Sequence, residues 1–216
     1  MSPSKQSKSL SRKARDAEAT KAQIIDAAME EFAKYGLSGA RTENIASGSG
    51  VTKAMIYYYF ESKEALYQQV LNQLALQINE LGLAKLNLNE LQPESALRTA
   101  VYAFITYQAT HPCFGRILWH EALQNQGKYY KQTDWNQSYK YLLEILERGV
   151  KQGCFRQLDP FLTAMHINGV CNFYFDGYEN IKYLTPDVDL HSSEMIEKHA
   201  IAAIDFIMAG VARNGK

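Results

Sequence analysis

The 216-residue chain is 46% hydrophobic and carries 23 Lys and Arg against 23 Asp and Glu, a formal net charge of zero. That length and apolar content can bury the core of one large domain or two small ones, which excludes a disordered polyelectrolyte. No stretch approaches about 18 uninterrupted apolar residues, so no membrane span is expected, and no apolar run follows the N-terminal charges as a secretory signal would require.

Charge is unevenly spread. Residues 1–70 hold ten Lys and Arg against eight Asp and Glu, whereas 71–216 hold thirteen against fifteen. Six basic side chains (Lys5, Lys8, Arg12, Lys13, Arg15 and Lys21) fall in the first 22 residues, opposed by Asp16 and Glu18. Residues 1–19, rich in Ser, Lys and Arg, are expected to form a flexible basic arm that follows phosphates or enters a minor groove; a solvated tail is the plainer reading. A first helix is expected over 20–35, with Ile24, Ala27, Ala28, Phe32 and Tyr35 on one stripe, Glu31 as its polar interruption and Gly36 closing it.

Residues 41–63 read as two short helices and a turn. Thr42 is placed to cap the first helix, which has Ile45 and Ala46 on its inner face. Ser47-Gly48-Ser49-Gly50 is expected to supply the bend. Thr52 is placed to cap the second helix, where Ile56 and Phe60 share one face and Lys53, Ala54, Met55, Tyr58 and Tyr59 look outward. Ser62 caps the helix that follows, with Lys63 in its first turn. This is the pattern of a helix-turn-helix, whose second helix enters a major groove.

The landmarks Ile45-Ala46, Gly50-Val51-Thr52-Lys53, Tyr57-Tyr58-Tyr59-Phe60 and Ser62-Lys63-Glu64-Ala65-Leu66, at fixed spacing behind the 24–36 helix, resemble the DNA-binding motif of the tetracycline-repressor (TetR) family. The close resemblance covers about residues 20–70. It implies an all-α fold of about nine helices: a helix-turn-helix domain over 20–66 and a larger ligand-binding and dimerisation domain over 67–216. It also implies DNA contacts from Thr42, Thr52, Lys53, Ala54, Met55, Tyr58, Tyr59 and Lys63. Chemistry allows these roles. Lys53 can donate to guanine O6 and N7, Ala54 and Met55 can touch a thymine methyl, and Thr42, Tyr58, Tyr59 and Lys63 can meet phosphates. Tyr57 is expected to pack inside with Phe60. Two residues depart from the family pattern: Glu43, a carboxylate on the outward side of the first helix, and Gly48, where a helix former is usual.

Periodicity then predicts helices over 62–81, from Pro93 to the break at His111-Pro112, 113–124, 133–152, Asp159 to about Tyr178, and 192–212. Gly82 to Gln92 is a Leu- and Asn-rich connection, and Gln124 to Gln132 a polar, Tyr-rich one. Small residues among larger ones in the last helix (Met195, His199, Ala202, Ala203, Phe206, Ile207, Gly210) suit a two-fold homodimer formed by helices near 160–180 and 192–212. The competing reading makes that helix part of the monomer core.

Helices 5–8 carry aromatic and polar tips at Tyr102, Tyr107, Trp119, His120, His166, Asn168, Asn172, Tyr174 and Tyr178. The resemblance implies an effector pocket there, for which Tyr107, Trp119, His120, His166, Asn168 and Asn172 are the candidates, though any one of them can be a core residue. No GxSxG, Walker loop, GxGxxG or HExxH is present, and no His pair has metal-ligand spacing, so neither an enzyme, a cofactor nor a metal is expected. Cys113, Cys154 and Cys171 lack CxxC spacing and suit a reducing cytoplasm as small buried hydrophobes. The expected protein is a cytoplasmic repressor released from a palindromic operator in double-stranded DNA by a small-molecule effector. The alternative is a helical adaptor or small-molecule-binding protein that does not bind DNA.

Overall fold

The computed structural model describes residues 5–80 and 87–213, apart from the side chains of 5–14, 80 and 136–138. Among them are ten α-helices: α1 Lys5–Gly39, α2 Thr42–Ser49, α3 Lys53–Phe60, α4 Lys63–Glu80, α5 Pro93–Thr110, α6 Cys113–Asn125, α7 Asn136–Gln152, α8 Pro160–Asp176, α9 Tyr178–Ile181 and α10 Ser193–Val211. A turn of 3-10 helix at Tyr130–Gln132 and an isolated bridge between Phe155 and Ala212 complete the regular structure. The chain divides into two compact units, Met1–Gln73 with Arg116–Thr133, and Leu74–Gly115 with Asp134–Lys216. The break between the units falls within α4, and Arg116–Thr133 groups with the N-terminal unit.

In the N-terminal unit, Ile24, Ala28, Phe32, Ile45 and Ile56 are all fully buried, so α1 packs its apolar stripe on α2 and α3 as the sequence pattern requires. The helix starts earlier than expected. Its backbone is helical from Lys5, within the segment expected to be a flexible arm; no Gly or Pro interrupts the run, and its Ala, Lys and Arg residues are good helix formers. Residues 1–4 of that arm lie outside the described residues. At Gly36 the backbone takes φ 66 and ψ −178, a kink open to glycine, and one further helical turn follows to Gly39.

Two local expectations at α2 are corrected. Thr42 is not the cap but the first helical residue, and it is 5% exposed. The cap position belongs to Arg41, whose side chain makes no capping bond. Glu31 of α1 takes that role: its Oε1 accepts from the Arg41 N–H at 2.9 Å and from Asn44 Nδ2 at 3.0 Å. Ser47, Gly48 and Ser49 remain helical, and the chain turns only at Gly50, with φ 70. Gly48 lies against α1, where an added Cβ would stand 3.4 Å from that of Ala27.

The returning segment, which closes this unit, is tied to α1 and α4. Tyr67 packs edge-on between Phe32 and Tyr129, with ring centroids 4.9 and 5.4 Å away. Gln68 Nε2 donates to Thr133 Oγ1 at 2.7 Å, and Ser38 Oγ donates to Gln124 Oε1 at 3.1 Å. Glu121, 1% exposed, accepts from the Tyr129 and Tyr130 N–H groups at 2.7 and 3.1 Å and from Asn125 Nδ2 at 2.7 Å. These donors account for a buried carboxylate in an otherwise apolar place.

The second unit is a helical core in which Leu97, Val101 and Ile105 of α5 meet Ile145 and Leu146 of α7, Ile167 and Cys171 of α8, and Ala203 and Ile207 of α10. Asp159 Oδ1 caps α8 by accepting from the Leu162 N–H at 2.9 Å, and Ser192 Oγ caps α10 by accepting from the Met195 N–H at 3.3 Å. Arg148 of α7 donates to the carbonyls of Leu88, Asn89 and Leu91 at 2.6–3.0 Å, fixing the chain that enters α5. The connection expected over 82–92 is described only from residue 87 onward.

Candidate nucleic-acid interface

The surface in question is built by α2 and α3. Thr52 caps α3, its hydroxyl accepting from the Met55 N–H at 3.3 Å, and Ser62 caps α4 by accepting from the Ala65 N–H at 3.0 Å. Ile56 and Phe60, 0% and 6% exposed, anchor the inner face of α3. That leaves Thr52, Lys53, Ala54, Tyr57 and Tyr58 exposed, with Met55 and Tyr59 half-buried. Ala54 offers no bulk, so the backbone at the start of α3 is open to close approach.

The tyrosine assignment is partly reversed. Tyr57, expected inside, is 40% exposed, and the Lys53 ammonium lies 5.9 Å from its ring centroid. Tyr58 is 81% exposed. Tyr59 is the more covered one, edge-on to Tyr58 and Phe60 at 5.1 and 6.5 Å. It also borders a groove of about 620 Å³ lined by Lys21 and Ile25 of α1 and Gln69 of α4. Tyr57 and Tyr59 flank the inward Ile56–Phe60 face at about equal angles, and Tyr59 is the more covered because its side of α3 borders α1 and α4.

Two of the charged groups already have partners. Lys53 Nζ donates to Glu43 Oε1, joining the starts of α3 and α2. The hydrogen bond from Lys53 holds the Glu43 carboxyl below its ordinary range, and the same bond raises the Lys53 ammonium, so both stay ionised near neutrality. Lys63 Nζ donates to the Ala40 carbonyl at 2.9 Å, pinning the chain just before α2.

The six candidates for an effector pocket divide between the two units. Trp119 and His120 fall in the N-terminal unit; Tyr107, His166, Asn168 and Asn172 fall in the second. The buried face of α6 passes through Phe114, Ile117 and Glu121, which turns Trp119, 49% exposed, the other way. The His120 ring accordingly meets Gln124, with Nδ1 2.9 Å from the amide nitrogen. On α8 the buried face is Ala164, Ile167 and Cys171, so His166 is exposed. Asn168 donates to the Ala164 carbonyl of its own helix at 2.9 Å. Tyr107 is 3% exposed and stacks on His111 at 4.0 Å. Tyr102, Tyr174 and Tyr178 have structural partners in Glu197, the Leu190 carbonyl and the His191 ring.

The polar groups that do converge inside the second unit include two that periodicity alone did not single out for a pocket, Gln108 and His199. Gln108, 3% exposed, donates to Asn172 Oδ1 at 2.8 Å and to the Cys171 carbonyl at 3.2 Å. The His199 ring stacks on Tyr174 at 4.1 Å, and its buried Nε2 has no hydrogen-bond partner. Burial lowers the His199 pKa, opposed in part by the neighbouring Cys171 carbonyl, and burial pushes the Cys171 thiol up to about 12. A Gln inside an apolar helical stripe is the one sequence sign of this cluster.

Among the described residues no three His, Cys, Asp or Glu side chains stand close enough to hold a metal ion, and no helix is long and apolar enough to cross a membrane.

Comparison with known proteins matches both parts of the chain. Residues 24–70 match the family described as bacterial regulatory proteins, tetR family, and residues 93–207 match the tetracyclin repressor-like, C-terminal domain. The HTH-type transcriptional repressor NicS of Pseudomonas putida is 35% identical over 169 residues, 75% of this chain and 78% of that protein. The HTH-type transcriptional regulator RutR of Escherichia coli is 29% identical over 184 residues, 82% of this chain and 84% of that one. The crystal structure of HlyIIR, a hemolysin II transcriptional regulator, superposes with a TM-score of 0.65 at 26% identity, covering 92% of this chain and 99% of that one. A capped α2–α3 pair with an outward Lys- and Tyr-bearing face, matched in order with a helical second unit, makes the chain a member of the TetR family of bacterial transcriptional regulators.

Proposed function

We propose that the protein is a homodimeric repressor that binds a palindromic operator and leaves it when a small molecule occupies the second unit. The observation that carries the reading is the face of α3. Ile56 and Phe60 are spent on the core, and Thr52, Lys53, Ala54, Tyr57 and Tyr58 are left exposed on the outer face. Lys53 is the base-edge donor; Thr52, Tyr58, Lys63 and the N–H groups at the start of α2 are phosphate contacts. Thr42, being buried, acts through that helix start rather than through its hydroxyl. Met55 and Tyr59, half-buried, form the edges of the contact.

Dimerisation is supported by the outer faces of α8 and α10. Leu162, Met165 and Phe173 on α8 are 54, 48 and 65% exposed, and Ile201 and Phe206 on α10 are 52 and 71% exposed. Two apolar stripes of this kind suit a two-fold helical contact between copies, and a two-fold protein reads half-sites in successive major grooves. For the effector, the convergence of Gln108, Asn172 and the unpartnered His199 Nε2 marks the polar end of a small-molecule site. Release requires the effector to bind the DNA-incompetent arrangement more tightly than the DNA-bound one.

The test is selection of bound sequences from a random duplex pool by the purified protein, with a salt titration of the enriched duplex. An inverted repeat whose binding falls steeply with salt is the expected result. Failure to enrich any sequence, before and after refolding to remove a carried ligand, would leave a helical small-molecule-binding protein without DNA.

A further inference from the structure

The Glu43–Lys53 pair carries more than a tie between two helices. A carboxylate on a surface that meets phosphates is repulsive by itself. Here it sits beside a cation, on the exposed rim formed by the starts of α2 and α3, with side chains 63% and 48% exposed. Ala54 beside them is exposed and small, so the residue next to Lys53 adds no bulk between the pair and a groove floor.

The major-groove edge of a G·C pair presents N7 and O6 acceptors on guanine next to the N4 amino donor on cytosine. An ammonium adjoining a carboxylate is complementary to that order. An A·T pair presents acceptor, donor, acceptor and a methyl group, which would set the ammonium against a donor and the carboxylate against the thymine O4. A C·G pair reverses the order and mismatches both charges. We propose that Glu43 and Lys53 read one G·C pair per half-site as a unit, Lys53 Nζ donating to guanine O6 and N7 and the Glu43 carboxylate accepting from cytosine N4. The inference rests on the DNA-binding reading above and adds a specificity-determining residue, Glu43, that would otherwise be a liability. Because the pair is neutral as a whole, it contributes discrimination and adds nothing to the count of neutralised phosphates. Lys53 is also kept from binding phosphates indiscriminately.

The experiment uses the full-length chain and its Glu43→Ala, Lys53→Ala and doubly substituted forms, each selected against the same random duplex pool at one salt concentration. Circular dichroism first verifies that each variant retains the wild-type helicity, as expected for substitutions at exposed positions. Affinities are then measured for the wild-type operator, for that operator with the G·C pair changed to A·T, and for a random duplex across a salt series. The wild type is expected to prefer G·C at that position by roughly tenfold to a hundredfold. Both single variants should lose the preference at the same base pair, and the double variant should lose no more than either. Glu43→Ala should also bind random duplex more tightly, with a salt slope steeper by about one released counterion. If Glu43→Ala keeps the wild-type preference at every position, or if the two variants relax different positions, the paired reading is wrong and the bridge only ties α2 to α3. In both cases a wild-type palindrome would leave the DNA-binding reading standing. A wild type that enriches no sequence would overturn both.

Discussion

At Lys63 the ammonium group has a carbonyl partner within the fold, the Ala40 oxygen at 2.9 Å, and further donors to spare for a phosphate. Lys63→Ala should therefore act twice. It should weaken binding to every duplex alike, lowering the slope of log affinity against log salt by about one, and it should cost about 1 kcal/mol of stability from the lost bond. Salt titration and thermal unfolding of the same variant separate the two effects. His199 offers a pH test. Burial lowers its folded-state pKa below the ordinary 6.5, while in the unfolded chain it titrates normally. Above that value both states are neutral and the residue contributes no pH dependence. As pH falls below it, the unfolded chain takes up a proton that the folded one resists, so stability drops. His199→Phe, which can keep the stack on Tyr174, should flatten the acid side of the stability profile relative to wild type. An unchanged profile would mean that the histidine protonates in place. Caps such as Thr52 and Ser62 could be read from the sequence because their bonds span three residues. Thr42 was misread because its competitor, Glu31, reaches α2 from another helix.

Helix α7 and the chain after it show what one glycine can decide. A Cβ on Gly149 would lie 2.0 Å from the Phe155 ring, which is 2% exposed and part of the core. The Gly149 carbonyl also accepts from the Cys154 and Phe155 N–H groups at 3.0 and 3.1 Å, folding the chain back over the helix end. Gly149→Ala should destabilise by about 1–3 kcal/mol, despite Ala being the better helix former, because the ring has to be displaced from a packed site. Chemical denaturation would measure it, and a stabilised variant would mean that the ring repacks freely. The long helices were legible because their apolar stripes repeat over several turns. The 3-10 turn at Tyr130–Gln132 and the four-residue α9 have too few residues for any period to register. The early start of α1 was hidden by a composition that serves a charged helix and a solvated tail equally well.

For the whole molecule, the exposed apolar faces of α8 and α10 make a prediction about assembly. Phe206→Glu places a charge on a side chain that is 71% exposed and should leave the monomer fold intact. It should convert a sedimenting dimer to a monomer and, with it, abolish tight operator binding. A dimer that survives the substitution would move the interface elsewhere. Of the four pocket candidates in the second unit, Asn172 meets Gln108 and His166 is exposed, because aromatic and polar composition says which side chains are present, whereas the phase of each helix says which way they face. Gln108 and His199 come together only through contacts among α5, α8 and α10, at separations that no local pattern records. The division of the chain has one more consequence. The N-terminal unit is discontinuous, completed by Arg116–Thr133 from beyond α5. Cutting the chain after α4 would strip Tyr129 from Tyr67 and Thr133 from Gln68, leaving a DNA-reading module with one wall missing. The module is thus not portable as a contiguous cassette: a graft onto another protein must carry the downstream segment too, joined back across the gap.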